Sequence, residues 1–432
     1  MNATPSSAPA GTVPTAPLAS AARAQGLCPQ RLARIDRFLA ERYLHTGKLP
    51  CAQLLISRGG QLVHQSVQGM ANLEAGTPMT DDTIVRIYSM TKPITSVAFM
   101  MLVEEGRVSL DDPVHRFIPS WRGMGVHVSA MPGGGFMTRP TDAPMRMIDL
   151  LRHTAGLTYG FQMRTNVDSA YRRGKVEPFD QDAADEGSLE AFVQGLAKIP
   201  LEFSPGKAWN YSVATDVLGY LVGVISGQPF DEFLRTRILE PLGMLDTGFH
   251  VPEAQAHRLA QCYVVGASGT LAPAPGRDFR RPPKAPSGGG GLVSTAADYL
   301  KFCECLRRGG AYTGPQGEGR LLGPKTLQLM RANHLPGGRD LADVSISMFS
   351  EAIYQGVGFG LGFALTTDVA KTGVAGSPGE YWWGGMASTA FWIDPVEDLC
   401  VVFLTQLMPS SLYPIRRELR TMVNAAIVDS NV

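Results

Sequence analysis

Residues 87–106 read Ile-Tyr-Ser-Met-Thr-Lys-Pro-Ile-Thr-Ser-Val-Ala-Phe-Met-Met-Leu-Val-Glu-Glu-Gly. From Ser89 to Glu105 the stretch has the length and apolar content of a helix, and Gly106 is suited to end it as a C-terminal cap. On a helix, residues three apart share a face, so Ser89 and Lys92 point the same way. Pro93 disfavours ordinary helical geometry at the residue before it, so a tightened first turn is expected. A serine and a lysine so placed are either a helix cap with a surface charge or a nucleophile with its base. Ser-x-x-Lys alone favours the cap, because the pattern arises often by chance.

Composition narrows what the rest of the chain can be. Its 432 residues are enough for two or three domains and a large core. Hydrophobic residues make up 44% and charged residues 18%, as in a globular protein. The 39 basic and 39 acidic side chains cancel, which speaks against a nucleic-acid or acidic-membrane partner and for a small molecule. The longest apolar runs, 97–103 and 399–404, fall well short of the ~20 residues that span a bilayer. Residues 1–25, rich in Ala, Pro, Ser and Thr, lack the charged and apolar regions of a signal peptide and read as a flexible leader. The six cysteines show no framework spacing, and Cys303-x-Cys305 has no matching pair. Free buried thiols, no metal, no cofactor and a cytoplasmic location are expected.

Along the chain, residues 31–45 have helical apolar spacing, and residues 51–71 read as two strands turning at Arg58-Gly59-Gly60. The middle is mainly helical (147–152, 189–196, 214–226 and 230–239), with a loop at 131–136. Strands return in GFGLGFAL, STAFWIDP and LCVVFLTQL, and 412–428 closes the chain as a helix. This order predicts an α+β fold, an antiparallel sheet built from both chain ends with a mainly helical domain inserted. The sheet domain is expected over 26–88 and 284–432, with part of 155–208. The helical domain is expected over 89–154 and 209–283, with the active site between the two.

A serine hydroxyl attacks only when a base accepts its proton. Lysine can be that base where desolvation or positive neighbours favour its neutral amine. A helix N-terminus disfavours the ammonium and offers N–H groups to an oxyanion. The stretch 86–121 resembles the nucleophile region of serine β-lactamase-like hydrolases, above all family VIII carboxylesterases. DLLRHTAGL (149–157), FSPGKAWNYSVATDVLGYLV (203–222), PLGMLDTGF (241–249), SGGGGLVSTAADYLKF (287–302) and WWGGMASTAFWIDP (382–395) are similar to the same family in the same order.

The resemblance implies a β-lactamase-like fold and an acyl-enzyme on Ser89, with Lys92 its proton partner. It makes Tyr211 the tyrosine that completes the base, and an ammonium beside that phenol is expected to lower its pKa. For the third motif, Lys371-Thr372-Gly373 spells the lactamase triplet, but the turn-like VAGSPGE follows it. Trp383-Gly384-Gly385, expected to run straight into a strand from Met386 to Ile393, is the better match. The resemblance then implies an oxyanion hole from the backbone N–H groups of Ser89 and Met386. It also implies a substrate pocket formed by Tyr88, Val213, Trp383, Gly384 and Gly385, with the glycines admitting the substrate carbonyl. Val213 and Trp383 stand where lactamases carry asparagine and lysine. An apolar, uncharged pocket favours a neutral short-chain ester over a β-lactam. A lactamase or peptidase, an acyltransferase and a non-enzymatic binding relative remain as alternatives.

Other signals point elsewhere or nowhere. No Gly-x-Ser-x-Gly occurs, so a Ser-His-Asp elbow is not expected. His153 reads as structural near the cleft, and no His-Glu-x-x-His supports zinc chemistry. SGGGG reads as a tight turn near the cleft.

Overall fold

The computed structural model describes residues 15–132, 135–176, 187–347 and 354–432. Both chain ends meet in one eight-stranded antiparallel sheet. Strand β1 (Cys51–Arg58) lies at its heart, paired on one side with β2 (Gln61–Asn72) through the Gly59-Gly60 turn. On its other side it pairs with the late strand Leu399–Leu404, in register from Gln53 opposite Leu404 to Arg58 opposite Leu399. Beyond that strand follow Ala390–Asp394, Tyr381–Gly384, Ala364–Thr366 and Val357–Phe359.

Successive strand residues face opposite sides of a sheet, and here both sides are covered. Leu54, Ile56, Val401 and Phe403 pack on one face against helix α2 (Pro29–Leu39) and the closing helix Ile415–Ala426. That closing helix presents Ile415, Leu419, Val423 and Ala426 along a single stripe. Leu55, Cys400, Val402 and Leu404 pack on the other face, where helix Ala296–Arg307 contributes Tyr299, Phe302 and Cys303. Burial on both faces explains why these strands read as continuous apolar runs rather than alternating ones.

Helix α3 (Thr91–Glu104) is buried throughout from Thr91 to Leu102, as expected of a helix that is apolar all round. It packs against helix Ala214–Ser226, and Gly106 beyond its end has φ +69°. A 3-10 turn over Tyr88–Met90 leads into it. This is the tightened entry anticipated from Pro93.

Two expectations need correction. Residues 16–24, placed in a flexible leader, form helix α1 (Ala16–Ala24), while residues 1–14 lie outside the described residues. Alanine is the best helix former, and Ala22 is fully buried against the sheet core. Arg58 secures the end of α1 by donating to the carbonyls of Gln25 and Asp429, each at 2.8 Å. The expected loop at 131–136 falls between two paired strands, Val126–Ala130 and Phe136–Arg139, with 133–134 outside the described residues. Trp383-Gly384 ends a strand of its own, Tyr381–Gly384. Met386 lies in the turn before the next strand, Ala390–Asp394, so no strand runs from Met386. Among the described residues, no helix is long and apolar enough to cross a membrane. All six cysteines are free, and Cys303 and Cys305 are buried on their helix.

Helix α1 supports the sheet, so a charge at its buried position should be felt. Ala22→Asp is expected to destabilise the protein by about 2 kcal/mol or more, since a buried unpaired carboxylate has no compensation. Urea unfolding measures it, and a wild-type midpoint would make this segment the dispensable leader that composition suggested.

Candidate active site

The 3-10 turn before α3 carries Ser89 to the floor of a cavity of about 490 Å³. Tyr88 precedes it at φ +43°, a left-handed conformation that a bulky residue holds only when its surroundings enforce it. Part of that enforcement comes from the third-motif hairpin. A Cβ on Gly385 would collide with the carbonyl oxygen of Ile87, two residues before the serine, and with Thr389 Oγ1. A Cβ on Gly384 would strike the Arg416 guanidinium. These glycines were expected to admit a substrate carbonyl. Both line the cavity, and their missing Cβ atoms also admit the protein's own backbone and side chains, a packing need that local sequence does not reveal.

Two polar groups converge on the serine. Lys92 Nζ donates to Ser89 Oγ at 3.2 Å and to the Gly289 carbonyl at 2.6 Å. Tyr211 Oη lies 2.7 Å from the same Oγ and donates to it. Lys92 Nζ also sits over the rings of Tyr211 and Tyr159, 4.5 and 5.4 Å from their centroids. Full burial pulls the Lys92 ammonium down to about 7, against a smaller upward pull from Asp216. The expectation for Tyr211 is reversed. Burial is the largest influence on it and raises its pKa, so the phenol holds its proton. An ammonium nearby cannot offset the desolvation of a phenolate.

Asp216 lies in the first turn of helix Ala214–Ser226, fully buried. Its Oδ1 accepts from Ser287 Oγ at 2.5 Å and from the Gly289 N–H at 2.9 Å. A Cβ on Gly289 would collide with this carboxylate. The glycine run forms a turn over 288–290, as read from the sequence, and it links Asp216 on one side to Lys92 on the other. Burial raises the Asp216 pKa, and Lys92 opposes that.

The cavity wall is aromatic. Tyr159 stacks on Phe161 at 4.7 Å and tilts against Tyr211, whose other neighbours include Trp383 at 5.5 Å. Tyr88 meets Phe279 edge-on. Tyr88, Trp383, Gly384, Gly385 and Met386 all line this space. Val213 does not: it is fully buried at the start of its helix, with its N–H on the Thr158 carbonyl. Nor is the cavity uncharged, because Arg164, Arg277 and Arg416 line it. Arg164 pairs with Glu202, Arg277 lies over Phe279, and Arg416 donates to the Gly385 and Thr389 carbonyls. Arg416 thus braces the third-motif hairpin, a role invisible in a helix that reads simply as amphipathic. Asp216 had one sequence signal, an acidic residue in the first turn of an apolar helix, which is equally what a capping charge looks like.

His153 sits behind Tyr211, with ring centroids 5.1 Å apart and Nδ1 3.2 Å from Ser212 Oγ. Burial, and then Lys92, hold it well below its usual pKa, so it is neutral. Lys371 lies on a short helix, exposed and paired with Asp340 at 3.2 Å, and does not line the cavity.

Comparison with known proteins agrees with this architecture. The Beta-lactamase family model matches residues 35–423. The chain belongs to the Beta-lactamase family. It is 35% identical over 367 residues to protein Rv1367c of Mycobacterium tuberculosis (strain ATCC 25618 / H37Rv), covering 84% of this chain and 87% of that one. It is 31% identical over 408 residues to Esterase EstB of Burkholderia gladioli, covering 90% and 93%. Among solved structures it resembles EstCE1, described as a hydrolase with promiscuous acyltransferase activity. There the TM-score is 0.72 at 27% identity, covering 93% of this chain and 99% of that one. This family member has the β-lactamase-like α+β fold, as the sequence motifs implied. It is a hydrolase of that fold with esterase and acyltransferase relatives.

Because Gly385 abuts Ile87, Gly385→Ala should disturb hairpin and serine turn together. We expect a loss of about 1–3 kcal/mol, the usual cost of overpacking. Thermal unfolding reads it, and an unchanged midpoint would show that the contact can relax freely.

Proposed function

We propose that this protein is a serine carboxylesterase that acylates Ser89 with a neutral, short-chain carboxylic ester. The observation that carries this reading is the position of Ser89 Oγ, within hydrogen-bond reach of both Lys92 Nζ and Tyr211 Oη. Neutral Lys92 takes the Ser89 proton as Oγ attacks the ester carbonyl. The backbone N–H groups of Ser89 and Met386 receive the oxyanion. Tyr211, kept protonated by burial, gives its proton to the departing alkoxide, and Lys92 returns one to Tyr211. Water then attacks the acyl-enzyme, passing its proton back along the same groups, and the acid leaves.

Tyr88, Trp383, Gly384 and Gly385 shape the substrate space, and Val213 acts only through the packing beneath it. Trp383 stands where the lactamase triplet carries its lysine, which supports an ester ahead of a β-lactam, and the three cavity arginines are engaged with Glu202, Phe279 and the Gly385 and Thr389 carbonyls. Acyl transfer to an alcohol is the second reading. It is favoured by a cavity with room for an acceptor beside the acyl group and by the activity ascribed to EstCE1. We also propose the division into a sheet domain and a helical domain, with this cleft between them.

Ser89→Ala should abolish p-nitrophenyl butyrate hydrolysis while the protein stays folded, and substantial residual turnover would remove the assignment. Since Lys92 must be neutral to act, kcat/KM should fall as pH drops through about 7. A flat profile from pH 5 to 9 would exclude Lys92 as the base. Turnover of the ester should exceed that of a chromogenic cephalosporin, and the reverse order would make the protein a β-lactamase first.

A further inference from the structure

Asp216 has no place in the acylation scheme, yet its setting is unusual. It is a fully buried carboxylate, and Oδ2 has no hydrogen-bond partner among the described residues. Burying such a group is costly unless something gains from it. Its Oδ1 binds the N–H of Gly289, and the carbonyl of that same Gly289 binds Lys92 Nζ. One residue therefore links carboxylate and amine.

We propose that Asp216 is a positioning residue of this site, which aims the Gly289 carbonyl at Lys92 and supplies the negative charge that keeps Lys92 basic enough to accept the Ser89 proton. The inference rests on the reading of Lys92 as the base. The groups facing Lys92 leave Asp216 as its anionic partner. From its own turn comes the hydroxyl of Ser89, and from the neighbouring segments come the protonated phenol of Tyr211, the ring of Tyr159 and neutral His153. Helix Ala214–Ser226 brings Asp216, and the glycine turn brings Ser287 and Gly289. Burial alone would drive the lysine towards a weakly basic amine, a poor acceptor for a serine proton. An anion one peptide away opposes that drift without the direct ion pair that would lock Lys92 as an ammonium.

The sign of the effect is definite. Removing the charge lowers the Lys92 pKa, so the acid limb of reactivity moves to lower pH. The measurement is the rate of Ser89 labelling by a p-nitrophenyl phosphonate against pH, followed by intact mass on the full chain. This readout does not depend on which ester is the substrate. Asp216→Asn keeps an oxygen for Ser287 and Gly289 but no charge. Its midpoint should fall by about one pH unit, the lower end of shifts caused by a nearby charge. Asp216→Ala also frees Gly289, and its plateau rate should fall on the order of tenfold or more, as misplacement of a catalytic group does.

A purely structural Asp216 would lower stability or the plateau and leave the midpoint in place. An unchanged midpoint in folded Asp216→Asn overturns the proposal. Should that variant not fold, Asp216→Ala carries the test: it too removes the charge, so its midpoint should fall by a similar amount, and an unchanged midpoint there overturns the proposal equally. Wild-type protein that takes up no phosphonate on Ser89 would instead sink the esterase reading.

Discussion

The site depends on the desolvation of one amine. Lys92 lies on a helix with almost no exposed face, and among the described residues its Nζ reaches one hydroxyl, one carbonyl and two aromatic rings. Water would hold it protonated at neutral pH, whereas burial brings its pKa to about 7. The same desolvation acts in the opposite sense on Tyr211 and keeps the phenol protonated. Two groups that both carry protons in water are thus pushed in opposite directions by one physical cause.

Such a site needs rigid walls, and the sheet supplies them. The strand Tyr381–Gly384 ends where the serine turn begins, and backbone meets backbone at Gly385 and Ile87. Arg416, from the closing helix, binds the carbonyls of that hairpin from behind. The closing helix is itself held by the core formed with α2, β1 and the strand Leu399–Leu404. The serine turn is therefore supported by residues about 300 positions away in the chain, and both chain ends take part.

The elements were largely legible because their signals are local. The turn at Arg58-Gly59-Gly60, the helix ended by Gly106 and the paired late strands follow from apolar periodicity and turn residues. Where the reading failed, the deciding contact was remote. Residues 16–24 looked like a leader because their alanines carry no periodic signal, yet the sheet offers Ala22 a place in its core. Met386 looked like the start of a strand, but the need to bring Gly385 against Ile87 puts a turn there.

By itself, the sequence determined the chemistry available: a serine and a lysine on one helical face, a tyrosine in a second motif, and a tryptophan where a cation would bind carboxylate. Spacing and residue type carry that much, because both are properties of the local chain. Only the tertiary structure decided which group holds a proton, which glycines also make room for the protein's own backbone and side chains, and that Val213 leaves the pocket while Asp216 stands beneath it. Proton affinity is set by burial and by charges at a distance, and neither exists until the chain has folded around them.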